Sequence, residues 1–273
     1  MTAPTTHPTV LNHAAGEFRN LVGVVEQLGI TVPSSVTDEL ALPKKFQRSQ
    51  IDAAHAAAVA RSELLSVPAS KFDAALANYH TLRAAAETAE STYNDVCELG
   101  VNRLSSAVHS AMPSWVGTVV ELFNATVAEY RLNEVARDLP DLATLVSPVD
   151  MTAAQSAAVG AWKTAADLLA PIWNTYTRLA TFGGEDTGLA PEIETSPNIT
   201  LACRLGEPPS FHAALAAADA LARAAHGVNA SRRYAQLLPF VVPALAGFDL
   251  DLADTAGAAR RRAAIQPQAT ADN

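Results

Sequence analysis

One stretch limits the possible folds of this chain more than any other. Between residues 70 and 111, apolar side chains recur at Phe72, Leu76, Tyr79, Leu82, Ala86, Ala89, Tyr93, Val96, Val101, Leu104, Val108 and Ala111. The steps alternate mostly between three and four residues, so these side chains form one stripe along an α-helix, close to a heptad period. Unbroken, that helix is roughly 60 Å long at about 1.5 Å per residue. Ser70-x-x-Asp73 supplies a cap at its start, and Arg83, Glu87, Glu90 and Glu98 mark its wet face.

The run Met112-Pro113-Ser114-Trp115-Val116-Gly117 follows. Proline is disfavoured inside a helix and suits its first turn, so Pro113 reads as a break and Ser114 as the cap of a new helix. That second helix carries Val116, Val119, Val120, Phe123, Val127, Tyr130 and Val135 and ends near Leu139-Pro140. It is about 25 residues, or ~38 Å. The two segments predict an antiparallel helical hairpin over about 70–139 whose second arm is too short to cover the stripe of the first. Another helix of the chain or another protein must cover the remainder.

Composition points the same way. Alanine fills 56 of the 273 positions, and aromatic residues make up only 6%. Alanine is the best intrinsic helix former and lets helices approach closely. The expected fold is all-α: an elongated bundle built on the hairpin, with a smaller C-terminal part holding at most a minor β element. Before the stripe, Asn12 caps a helix with Phe18, Leu21, Val22, Val25 and Leu28 on one face, ended by Gly29. A short turn at 35–42 and a separate helix from the Ser49-x-x-Asp52 box to about Ser66 come next. After a linker, Asp150 or Thr152 caps a helix bearing Trp162, Ala166, Leu169, Trp173, Tyr176 and Leu179, kinked at Pro171 and ended by Gly183-Gly184. Ile199, Leu201, Cys203 and Leu205 alternate with Thr200, Ala202 and Arg204, which predicts a strand over 198–205 that pairs with residues near Phe248 to Leu252 or with another subunit. Ser210 caps a last clear helix. The expected divisions are an N-terminal arm with short helices (1–48), a helical bundle (49–183) and a C-terminal α-rich region with a flexible tail (184–273).

Several classes of function are disfavoured. The net charge is −9, whereas nucleic-acid binding needs a basic surface, so no nucleic acid is expected as a partner. Cys97 and Cys203 are too far apart for a disulfide framework or a metal spacing and read as small buried hydrophobes. The start lacks the basic and apolar regions of a secretory signal, and the longest apolar run, 237–248, holds two prolines and is too short to span a bilayer. A soluble chain, cytoplasmic or part of an assembled particle, is expected.

No histidine pair has helical ligand spacing, and neither a nucleophile elbow nor a glycine-rich phosphate loop is present. Asp249-x-Asp251-x-x-Asp254 reads as a helix N-terminus rather than a Ca²⁺ loop. Glu185-Asp186 and Glu192-x-Glu194 lie in an acidic loop without an apolar pocket around them. The reading is a non-enzyme with no cofactor, metal or small-molecule ligand identified; an enzyme whose site follows no recognised motif is kept as an alternative.

Trp115-Val116-Gly117, followed by Tyr130-Arg131-Leu132-Asn133-Glu134, resembles the Trp-x-Gly turn and Tyr-x-x-x-Asp/Glu element of type VII secretion substrates. That resemblance implies an exported helical hairpin. Packing accounts for the same residues more simply: Trp115 anchors a helix junction and Gly117 allows close backbone approach. The uncovered stripe, solitary strand and polar ends point instead to a structural or assembly protein in a large multichain particle such as a phage virion. Its packing and partner surface is expected at Phe72, Leu76, Tyr79, Tyr93, Leu104, Trp115, Phe123 and Tyr130, against a protein partner or a second copy.

Overall fold

The computed structural model describes residues 8–140, 150–183, 199–225 and 238–266. The start of the expected arm, the linker at 141–149, the acidic loop at 184–198, Gly227 and the C-terminal tail lie outside the described residues. Every regular element among the described residues is helical, which agrees with the all-α expectation. The contacts divide the chain into two compact units, 1–111 and 112–273. That division falls inside a helix rather than at 48/49 or 183/184.

In the first unit, α1 (Pro8–Gln27) buries Phe18, Leu21, Val22 and Val25, the face its spacing predicts. Its C-terminus closes with a Schellman motif. Gly29 adopts φ +74°, its N–H donates to Glu26 O, and Ile30 N–H reaches back to Val25 O. The expected turn at 35–42 and helix from Ser49 are one helix, α2 (Ser34–Glu63), which runs through Pro43. A 3₁₀ turn (Ala69–Lys71) leads into α3 (Phe72–Ser91), and α4 (Tyr93–Glu129) follows after Thr92. The interruption is slight: Thr92 N–H donates to Thr88 O at 3.1 Å and Val96 N–H donates to Thr92 O at 3.0 Å, so the hydrogen-bond ladder runs on across it.

Helix α2 lies antiparallel to α3 and the first part of α4. Arg103 Nε donates to Glu39 Oε1 at 3.1 Å, Phe46 stacks on Tyr93 at 6.2 Å, and Gln50 Nε2 donates to Ala89 O at 2.8 Å. At Gly100 a methyl group would sit 3.7 Å from Leu42 Cδ2, so the bare backbone seats that side chain. The hairpin therefore differs from the expected one: the helix packed on the stripe beginning at Phe72 is the one before it, and it leaves the stripe's first part half-buried, with Phe72 exposed. No turn occurs at 112–117, and Pro113 is an exposed residue inside α4. Leu104, Val108, Ala111, Trp115, Val119, Phe123 and Val127 are all buried at steps of three or four. The apolar face keeps its phase through the proline, and its burial outweighs the roughly 3 kcal/mol that an interior proline costs.

The second unit gathers the end of α4 with α5 (Leu132–Val135), a 3₁₀ turn (Ala136–Asp138), α6 (Ala153–Phe182), α7 (Ile199–Leu205), α8 (Phe211–Ala225), α9 (Leu238–Leu245) and α10 (Thr255–Ile265). Thr152 caps α6 in a reciprocal box: its hydroxyl accepts from Gln155 N–H, and Gln155 Oε1 accepts from Thr152 N–H. Pro171 lies within α6 and does not end it. The core is aromatic at its centre. Phe240 lies 5.9 Å from Phe123 and meets Trp173 edge-on at 6.5 Å, while Trp173 stacks on Tyr176 at 5.5 Å.

The expected strand over 198–205 is helix α7 instead. Six of its seven residues, from Ile199 to Leu205 with Thr200 excepted, are buried. The alternation that suggested one wet face is misleading because Ala202 and Arg204 are buried as well. A segment enclosed on all sides satisfies its own peptide groups best as a helix. Arg204 is held there by Tyr176, whose hydroxyl accepts from its Nη1 at 3.0 Å and whose ring lies 5.6 Å from the guanidinium.

One extended segment threads this core. A second Schellman motif, with Gly247 at φ +85° and Phe248 N–H on Pro243 O, turns the chain out of α9. Residues 250–253 then run extended with both edges bonded. Asp251 N–H and Ala253 N–H donate to Leu205 O and Arg204 O, and Gly206 pairs with Leu250 in an isolated antiparallel bridge. The alternate residues face asparagines. Leu250 N–H donates to Asn133 Oδ1 (2.8 Å) and Leu250 O accepts from its Nδ2 (3.1 Å). Leu252 is held the same way by Asn124, at 2.8 and 2.9 Å. Tyr176 donates to Ala253 O at 2.8 Å, and Asp254 then caps α10 through Gly257 N–H.

Two outcomes are expected. Asn133→Ala leaves both peptide groups of the buried Leu250 unbonded and destabilises the fold by about 1–3 kcal/mol in urea unfolding. Pro113→Ala restores a donor to the His109 carbonyl and raises the unfolding midpoint; a proline at the first turn of a separate helix would give no gain.

Candidate interaction surface

The residues expected to form a partner surface separate into three groups. Leu104, Trp115 and Phe123 are buried core residues, with 3%, 1% and 0% exposure, so they hold the chain together and do not meet a partner. The Trp115 indole is packed for its area: its Nε1 has no hydrogen-bond partner, and the same is true of Trp162. Leu76, Tyr79 and Tyr93 are half-buried along the α2–α3 hairpin, and Tyr130 is half-buried just past the end of α4. Phe72 is exposed at 42%. Tyr130 is followed by Arg131 at φ 49°, the one described non-glycine residue in left-handed geometry, which turns the chain into α5. Trp115-Val116-Gly117 lies inside a helix, so the turn that the secretion resemblance implies is not formed there.

The hairpin is thinly packed. Between Arg61 and Leu99, no described side chain is buried. The physical reason is the alanine content of α2: Ala53, Ala56, Ala57 and Ala60 face α3 or its approach and bring the helices close, but they carry little apolar area. Larger apolar groups point outward, with Ile51 at 62%, Val59 at 43%, Leu65 at 91% and Leu99 at 56% exposure. A hollow of about 450 Å³ opens between the helices over Ala57 and Ala58, rimmed by Arg61, Tyr79 and Arg83. Arg83 is engaged with Glu87 at 2.8 Å, and that hydrogen bond holds its guanidinium pKa above the usual arginine range.

The second unit carries an open cleft of about 1120 Å³, lined in part by Asn124, Arg131, Glu207, Pro208, Phe248 and Asp249. Its asparagines are engaged with residues 250 and 252, Arg131 pairs with Glu134, and Arg261 pairs with Asp251. Those asparagines and ion pairs serve the fold of the cleft wall. Among the described residues no three potential metal ligands cluster, and no helix is long and apolar enough to cross a membrane. Comparisons with protein-family models, with curated proteins and with solved structures find no match to this chain.

The cysteines differ in environment. Cys203 is fully buried on α7, and burial pushes its thiol pKa up while Arg262 and Arg261 pull it partly back. Cys97 is half-buried beside the Tyr93 hydroxyl, whose own pKa is raised by its hydrogen bond to that thiol. A raised thiol pKa means less thiolate at neutral pH, and burial blocks access. In the native protein, a thiol reagent at pH 8 is expected to modify Cys97 at least tenfold faster than Cys203, read by mass spectrometry of digested samples; equal rates would contradict the burial of α7.

Proposed function

We propose that this chain is a non-enzymatic structural subunit that assembles with other protein through the α2–α3 hairpin of its first unit, as a component of a large multichain particle such as a phage virion. The observation that carries this reading is the hairpin's exposed apolar set (Ile51, Val59, Leu65 and Phe72) on a pair of helices in which no described side chain beyond Arg61 is buried. An exposed apolar set on a helical arm is a typical protein-binding surface. A two-helix arm gains little from its own packing, and docking supplies the burial it lacks. The hollow over Ala57 and Ala58 suits a side chain from outside, in the manner of a knob entering a hole.

Fractionation of the native source by velocity sedimentation tests this. The chain is expected in fractions far heavier than its 28.6 kDa mass, and a Leu65→Glu/Phe72→Glu variant is expected to move to the light fractions with its helical circular dichroism unchanged. Wild-type protein sedimenting wholly as a free chain would overturn the proposal.

A further inference from the structure

We propose that the hairpin's partner is a second copy of the same hairpin, the two packing parallel, about a two-fold axis that runs along their length, into a four-helix bundle. This rests on the reading of the hairpin as an assembly surface and adds the identity of what docks there.

Charge carries the choice of partner. From residue 44 to Arg61, α2 holds Lys44, Lys45, Arg48 and Arg61 against Asp52 alone. From Phe72 to Leu99, the neighbouring helices hold Asp73, Glu87, Glu90, Asp95 and Glu98 against Arg83 alone. The Phe46–Tyr93 stack and the Gln50–Ala89 hydrogen bond set the basic and acidic bands at the same level of the hairpin. Lys44, Lys45, Arg48, Asp95 and Glu98 are all exposed, and among the described residues none of them forms an ion pair. The bands therefore do not neutralise each other within one copy.

A two-fold interface brings the same patch of both copies together, so residue i meets j and j meets i. One basic band then meets one acidic band twice. A uniformly acidic partner would oppose Asp95 and Glu98, and a uniformly basic one would oppose Lys44, Lys45 and Arg48. The stretch is also close to charge balance, although the whole chain carries −9, so the excess negative charge lies elsewhere. Ile51 and Leu99 flank the bands and supply apolar contact at 62% and 56% exposure.

The area fits a weak dimer. From residue 44 to the tip, the hairpin is roughly 30 Å long and two helix diameters, about 20 Å, wide. That offers on the order of 600 Å² per copy and about 1,200 Å² in total, the lower end for stable association. The pairing is therefore concentration-dependent, and it weakens as salt screens the bands.

Sedimentation equilibrium of the purified full chain tests the pairing with three proteins: wild type, Lys44→Glu/Lys45→Glu/Arg48→Glu, and Asp95→Lys/Glu98→Lys. Wild type is expected to rise from 28.6 kDa toward twice that mass with concentration, and to fall back at high salt. Each variant alone is expected to stay monomeric, and an equal mixture is expected to regain the dimer mass, because each restores the other's complement. All five substituted residues are exposed, and unchanged helical circular dichroism checks each fold. Wild type that remains monomeric at every concentration overturns the pairing while the sedimentation of the native particle stands or falls separately. Variants that dimerise like wild type, or a mixture that stays monomeric, overturn it too. If a variant fails to fold, the salt response of wild type decides: a dimer insensitive to salt overturns the charge-paired interface.

Discussion

A chain that leaves helical geometry inside a core must find a partner for every peptide group it carries. Residues 250–253 find theirs on two sides at once. Backbone carbonyls at the end of α7 take the N–H groups of residues 251 and 253, and the side-chain amides of Asn124 and Asn133 serve both peptide groups of residues 250 and 252. An asparagine side chain has the same donor and acceptor as a peptide, so α4 and α5 imitate the neighbouring strand that an all-helical unit lacks. The second unit is arranged around this segment. Gly206 is fixed by it, since a Cβ there would lie 2.4 Å from Asp249 O. Tyr176 is shared between the segment and Arg204, and Arg261 reaches from α10 to Cys203 O and Asp251 O.

The first unit follows a different logic. Its hairpin is specified by small residues, aromatic stacking and a few long-range hydrogen bonds, not by a deep core. Alanine makes the helices form and approach, yet it limits how much apolar surface two of them can bury. The same composition that secures the secondary structure thus leaves tertiary burial incomplete. That incompleteness connects the sequence to the proposed assembly role: surface left over within one copy is surface available to another.

Much of the fold was legible along the chain. The faces of α1 and α6, the Thr152 box, the Ser210 and Asp254 caps and the Gly29 stop all rest on interactions within a few residues, and all are present. The failures have more than one origin: Asn12, Ser49 and Ser114, read as helix starts, lie inside helices that begin earlier, and Ser70 lies in the 3₁₀ turn before α3. Pro43, Pro113 and Pro171 carry strong local signals against helix, yet each lies within one. The buried spacing from Leu104 to Val127 continues through Pro113 without a phase change, and that regularity was the better guide. The strand expected at 198–205 failed because period-two alternation identifies a strand only where one face stays wet, and α7 has no wet face. Its expected partner near residues 248–252 was nevertheless the right neighbourhood: Leu250 bridges to Gly206. Of the candidate surface, Phe72 lies exposed and Leu76 and Tyr79 half-buried on the hairpin, while Leu104, Trp115 and Phe123 are interior, because spacing cannot tell a stripe covered by its own chain from one left open.

By itself, the sequence determined that this chain is helical, where some of its helices start and stop, and which residues of each helix are apolar. These are local matters of backbone propensity, proline and glycine geometry and hydrogen bonds over short separations. Tertiary structure alone decided which helix packs on the long stripe, that a proline could stay inside a helix, and that two asparagines would act as a strand. Those outcomes depend on contacts between residues as far apart as Asn124 and Leu252, where the burial gained by the whole assembly of helices exceeds the local preference of any one segment.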